Sequence, residues 1–115
     1  MYSHLKKIIT IKKVLEIVKK ERKKGKRIVT TNGSFDIFHA GHALTLAISK
    51  QQGDILIVGV NSDESVRGYK SPKRPIVPER WRAEVVAAVE YVDFVFFFDE
   101  LNPIEYLYVS LHLPR

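Results

Sequence analysis

Three short runs, "RIVTT" (Arg27–Thr31), "DILIVGV" (Asp54–Val60) and "DFVFFF" (Asp93–Phe98), hold almost nothing but β-branched, aliphatic and aromatic residues. A strand wetted on one face alternates apolar and polar positions, whereas an unbroken apolar run needs cover on both faces, as strands of a parallel sheet have. The segments between the runs supply that cover. "HAGHALTLAISKQQG" reads as a helix closed by Gly53, and "ERWRAEVVAAVEYV" (Glu79–Val92) as a second one. Strand, helix, strand in this order defines right-handed βαβ units and predicts a three-layer α/β/α sandwich around a parallel sheet.

At 115 residues the chain has room for one core. We divide it into an N-terminal helical segment, 1–26, and the β/α body, 27–115. In the lead-in, apolar residues from Leu5 to Val18 recur at three- and four-residue intervals, predicting an amphipathic helix to Glu21 that is broken near Thr10 and closed by Gly25. After the second strand, "SDESVR" predicts a single turn capped by Ser62, and Pro72, Pro75 and Pro78 exclude a long helix or interior strand. "NPIEYLYVSL" predicts a last helix with Asn102 as N-cap and Pro103 in its first position.

Charge is unevenly spread. Residues 1–27 carry eleven Lys and Arg against Glu16 and Glu21, while the rest carries eight against eleven acids. Lysines at helical spacing without interleaved aromatics describe a solvated face, so nucleic-acid binding is not expected. With no cysteine, disulfides, thiolate metal sites and a cysteine nucleophile are excluded. No apolar run approaches the roughly 18 residues of a membrane span, and the first residues lack a secretion signal, which predicts no membrane association and a cytoplasmic location.

In sheets of this kind ligands bind beyond the carboxyl ends of the strands. There the chain places "TTNGSFDIFHAGH" (Thr30–His42). Gly33 allows close approach of backbone to a ligand, and the following helix start offers N–H groups and a positive dipole end to an anion. His39 and His42, three apart with Gly41 between them, lie on nearly one face. Such a pair serves as metal ligands, as satisfied core histidines, or as donors to a transferring phosphoryl group; no further metal partners are evident, and the phosphate role fits the cations nearby. These are Arg67, Lys70, Lys73 and Arg74 on the proline-rich loop, each also at home on a solvated surface, and Arg82, one turn into the next helix. Asp36 and Asp63 are carboxylates for magnesium or a ribose hydroxyl, or else caps of turns.

The order T-N-G-x-F-D-x-x-H-x-G-H resembles the cytidylyltransferase-like nucleotidyltransferases, whose first motif here is His39-Ala40-Gly41-His42. The likeness is strongest to the heptose 1-phosphate adenylyltransferase domain of ADP-heptose synthases, and "GKRIVTTNGSFDIFHAGH", "GDILIVGVNSD", "SVRGYKSPKRPI" and "AAVEYVDFVFFFDE" all resemble its segments, in order. The resemblance implies a Rossmann-like fold, a homodimer, and transfer of AMP from ATP to a sugar phosphate such as D-glycero-β-D-manno-heptose 1-phosphate, with release of pyrophosphate. It also implies that Mg²⁺ is held through the phosphates, with no direct protein ligand. His39, His42 and Lys70 would then be catalytic, and Thr31, Asn32, Gly33, Ser34, Phe35, Gly41 and Arg82 would bind the nucleotide phosphates. Asp36, Asn61, Asp63 and Arg74 are carried as substrate-binding.

Ser34 stands where the heptose branch usually has Cys. Glu90 matches that branch, where relatives acting on CTP and glycerol 3-phosphate tend to carry Arg. The family's later I-S-[ST]-T-x-[IK] motif has no counterpart before Arg115. A C-terminally shortened fold is therefore expected, with the third strand's outer edge exposed or covered by a second copy. A cytidylyltransferase for an alcohol phosphate, and a nucleotide-binding remnant without turnover, are the alternatives this leaves.

Overall fold

The computed structural model of the chain describes residues 2–69 and 73–99. Strands β1 (Ile28–Gly33), β2 (Ile55–Asn61) and β3 (Phe94–Phe98) form one parallel sheet in the order β1-β2-β3. Asn32 lies beside Gly59, and Asn61 beside Phe98, so the carboxyl ends of neighbouring strands finish in step.

Alternation along the strands divides the core into two layers. Val29, Leu56, Val58, Val60 and Val95 face α2 (Ala40–Gln51) and α4 (Glu79–Ala88), and pack with Leu46, Ala83, Val86 and Ala87. Ile28, Ile57, Phe96 and Phe98 point the other way onto Val14 and Val18 of α1 (Ile11–Lys23). The expected three-layer α/β/α sandwich is the observed architecture. Where "SDESVR" was expected to form a single turn, the seven-residue helix α3 (Asp63–Tyr69) follows β2, and the expected cap is present, Ser62 Oγ accepting the Ser65 N–H at 3.1 Å. No helix among the described residues is long and apolar enough to cross a membrane.

The lead-in breaks at Thr10, whose Oγ1 accepts the Lys13 N–H at 3.2 Å and starts α1. Before it lies a 3-10 helix, Ser3–Lys7. At the far end of α1, Gly25 has φ +82°, the Gly25 N–H reaches Arg22 O and the Lys26 N–H reaches Glu21 O, which together make a Schellman close.

Two further expectations change. The helix expected over Glu79–Val92 ends at Ala88, where Val89 turns extended (φ −73°, ψ 125°). Stopping early delivers Asp93 to β2, where its N–H donates to Leu56 O and its carboxylate accepts from the Leu56 N–H at 2.8 Å and from Lys50 Nζ at 2.6 Å. The outer edge of β3 is met by the chain's own lead-in. Ile8 pairs in parallel with Val95, and the Ile9 N–H donates to Val95 O at 2.8 Å. The helix expected from Asn102 and Pro103 lies outside the described residues.

Candidate active site

The loop from β1 to α2 is built on strained backbone. Phe35 and Ile37 adopt φ +51° and +50°, left-handed values that cost about 1–3 kcal/mol each in residues with a side chain. Phe35 folds its ring back over Gly33, where an added Cβ would lie 3.0 Å from that ring, so a larger residue there would need the ring to give way by a few tenths of an ångström. Between the two left-handed residues, Asp36 turns inward and leaves only 5 % of its side chain exposed.

The Asp36 carboxylate accepts the Ile76 and Val77 N–H groups at 2.9 Å each, with Arg74 Nη1 at 3.4 Å. Burial alone would raise its pKa, but the hydrogen bonds from Ile76, Val77 and Arg74 outweigh that and hold the carboxyl below its ordinary 3.8. The folded chain thus binds the Asp36 proton less tightly than the unfolded chain. Its contribution to stability is full at neutral pH, fades as pH falls towards 3.8, and is lost once pH passes below the folded value. We expect Asp36→Asn to cost about 2 kcal/mol in urea denaturation at neutral pH, with the gap to wild type closing under acid. A gap independent of pH would contradict this.

His39 and His42 open α2 as a reciprocal pair. His39, in extended backbone, accepts the Gly41 N–H on Nδ1 at 3.0 Å, and its own N–H donates to His42 Nδ1 at 3.1 Å. Each neutral imidazole therefore carries its proton on Nε2, which makes both rings donors at that atom. Their centroids are 4.1 Å apart, and the Phe35 and Phe38 rings sit 5.6 and 5.3 Å from His42. An added Cβ on Gly41 would come within 2.8 Å of the His39 ring, so the glycine is what lets the imidazole lie across the helix start.

Arg82 has partners other than a phosphate. Its side chain is fully buried, a state in which a guanidinium must be satisfied. Nη1 donates to Ser34 O at 2.7 Å and Asn61 O at 2.8 Å, Nε to Val77 O at 2.8 Å, and Nη2 to Asp63 Oδ1 at 2.7 Å. Asn61, also buried, donates from Nδ2 to Ser65 Oγ at 3.1 Å.

The expected substrate-binding groups Asp36, Asn61, Asp63 and Arg74 are thus brought to one end of the sheet and bonded to protein there. Thr31, Asn32, Gly33, Ser34 and Phe35 run along the β1 end beside them, and Lys70 lies outside the described residues. Among the described residues no group of three or more His, Asp or Glu side chains is placed to hold a metal ion.

Two participants were not singled out from the sequence. Gly59 leaves space for Asn32, whose Oδ1 would be 2.6 Å from an added Cβ; a glycine inside an otherwise apolar strand signals such a close approach. Glu79 Oε1 accepts the Asp63 N–H at 2.8 Å and ties the start of α3 to α4, a link between distant segments that no local pattern reveals.

A family profile described as Cytidylyltransferase-like matches residues 30–109. The bifunctional protein HldE of Trichlorobacter lovleyi is 48 % identical over 90 residues, 78 % of this chain and 18 % of that one. HldE of Koribacter versatilis is 48 % identical over 99 residues, covering 86 % and 20 %, and HldE of Nitratiruptor sp. is 51 % identical over 92, covering 79 % and 20 %. The chain spans about a fifth of the length of these curated relatives. Among solved structures, a lipopolysaccharide core biosynthesis protein from Thermoplasma volcanium superposes with a TM-score of 0.66 at 32 % identity, covering 73 % of this chain and 67 % of that one.

Proposed function

Because the chain belongs to the cytidylyltransferase-like family, we propose that it transfers AMP from ATP to a sugar phosphate such as D-glycero-β-D-manno-heptose 1-phosphate, in the cytoplasm, and releases pyrophosphate. The observation that carries this reading is the histidine pair: both Nδ1 atoms accept backbone N–H groups, so both Nε2 atoms are donors. An oxygen of the acceptor phosphate attacks the α-phosphorus, and the bond from that phosphorus to the oxygen of the pyrophosphate group breaks. Negative charge grows on the non-bridging and leaving oxygens, where fixed donors are most effective. His39 and His42 supply two such donors beside the Gly33 loop, and Lys70 is assigned the cation by the family resemblance. Asp36 and Asp63, the carboxylates weighed for magnesium, already accept hydrogen bonds from the protein, so Mg²⁺ would be held through the triphosphate and would supply charge neutralisation there. Glu90 and the HldE names of the relatives support the choice of ATP and a heptose phosphate.

The test is pyrophosphate release with ATP and the heptose 1-phosphate, in parallel with CTP and glycerol 3-phosphate. Turnover with the first pair is the expected result, and turnover with the second alone replaces adenylyl by cytidylyl transfer. ATP binding without turnover in either leaves a nucleotide-binding remnant. At a free concentration 100 times its Kd, the preferred nucleotide should stabilise the fold by about 2.7 kcal/mol, read as a rise in melting temperature. The working unit is proposed to be a homodimer, for which the mass in solution should be twice 13.2 kDa.

A further inference from the structure

We infer that Arg82 is a positioning residue of this site, setting the spacing between its two ligand-facing loops without touching the nucleotide. The inference rests on the proposed function. Three separate stretches of the chain meet at this one guanidinium: the Gly33 loop through Ser34 O, the junction of β2 and α3 through Asn61 O and the Asp63 carboxylate, and the loop before α4 through Val77 O. These bonds occupy four of the five N–H groups of a guanidinium, and none of the side chain is exposed.

Val77 is gripped from both sides, its carbonyl by Arg82 and its N–H by Asp36. Asp36 itself belongs to the Gly33 loop, so the two ties close a ring around the 73–78 segment. Ser34, which Arg82 holds by its carbonyl, is followed by Phe35, whose ring lies against His42. A shift of the guanidinium is thereby transmitted to the imidazole in one direction and to the 73–78 segment in the other. An error of about 1 Å between donors and the reacting phosphorus is enough for a 10²-fold loss of rate.

Arg82→Lys separates the roles, because an ammonium keeps the charge but has three donors for four acceptors and no planar fork. Amide exchange measured on the full chain without nucleotide should show the Ile76 and Val77 N–H groups exchanging at least about 10-fold faster in the variant, with Val58 in the sheet as control. Below the melting temperature, kcat should fall about 10²-fold while KM for the nucleotide changes far less. The affinities for AMP, ADP and ATP should weaken by one common factor.

Unchanged protection of Ile76 and Val77 would overturn the inference. So would a loss of affinity that grows with the number of phosphates, the mark of a direct phosphate contact. The exchange comparison needs no turnover. If the wild-type chain is inactive with every nucleotide and sugar phosphate, the proposed function falls and the exchange result still decides the positioning role.

Discussion

If the proposed transfer reaction holds, replacing His39 or His42 by alanine should lower the rate of pyrophosphate release about 10²- to 10³-fold in each case. Each imidazole works at two atoms. Nδ1 holds a backbone N–H of the helix start, and Nε2–H is the donor that the proposed function assigns to a phosphate oxygen. Losing the first function is the loss of a cap, worth about 1 kcal/mol and a melting point a few degrees lower. Losing the second should raise the barrier of the proposed reaction. His39→Asn distinguishes them, because asparagine caps helices well yet places no donor where Nε2 was. We expect it to melt near wild type and still to have lost most of its rate. With the rings 4.1 Å apart, the double alanine variant should lose less than the product of the single effects. Single variants within threefold of wild type would remove the histidines from the mechanism.

The second large effect is on stability. Arg82→Ala strands three carbonyls and one carboxylate oxygen that now share a single buried cation, and we expect a loss of about 3–5 kcal/mol, measured by urea denaturation. Asp63 keeps 28 % of its side chain exposed and can recover water, which favours the lower half of that range. Arg82→Met, which refills the volume with apolar atoms, should recover little, because the acceptors are still unpaired. A loss below about 1 kcal/mol for either variant would show that the carbonyls find other donors.

The sheet was legible from the sequence because strands buried on both faces must be apolar without interruption, and all three runs became strands. The end of α4 was not. Helical patterning continues to Val92, but the pairing of Asp93 with Leu56 stops the helix at Ala88, and that pairing joins residues 37 apart. In the site, the spacing of His39, Gly41 and His42 predicted two rings at one helix start, and the structure places them there. Which nitrogen of each ring carries the proton follows from the backbone around it, which composition does not encode. Arg82 looked like an anion-binding cation because the sequence shows a positive charge near the right end of the sheet. Whether such a group meets solvent or four protein acceptors depends on carbonyls converging from residues 34, 61 and 77. Asp36 is a similar case, its donors lying 40 and 41 residues away.

The pairing of Ile8 and Ile9 with Val95 bears on how the protein behaves at high concentration. "FVFFF" is a five-residue apolar run without charge, glycine or proline, the composition of a segment prone to cross-β association. One side of it is sealed by β2 and part of the other by the lead-in, while Val14 and Val18 cover its Phe96 and Phe98 side chains. The first 26 residues therefore act as an intramolecular guard as well as a basic surface. A version beginning at Arg27 would keep every residue of the nucleotide loop yet expose both a strand edge and two phenylalanines to other copies. Precipitation of that shortened chain, under conditions where the full chain remains in solution, is the outcome this packing dictates.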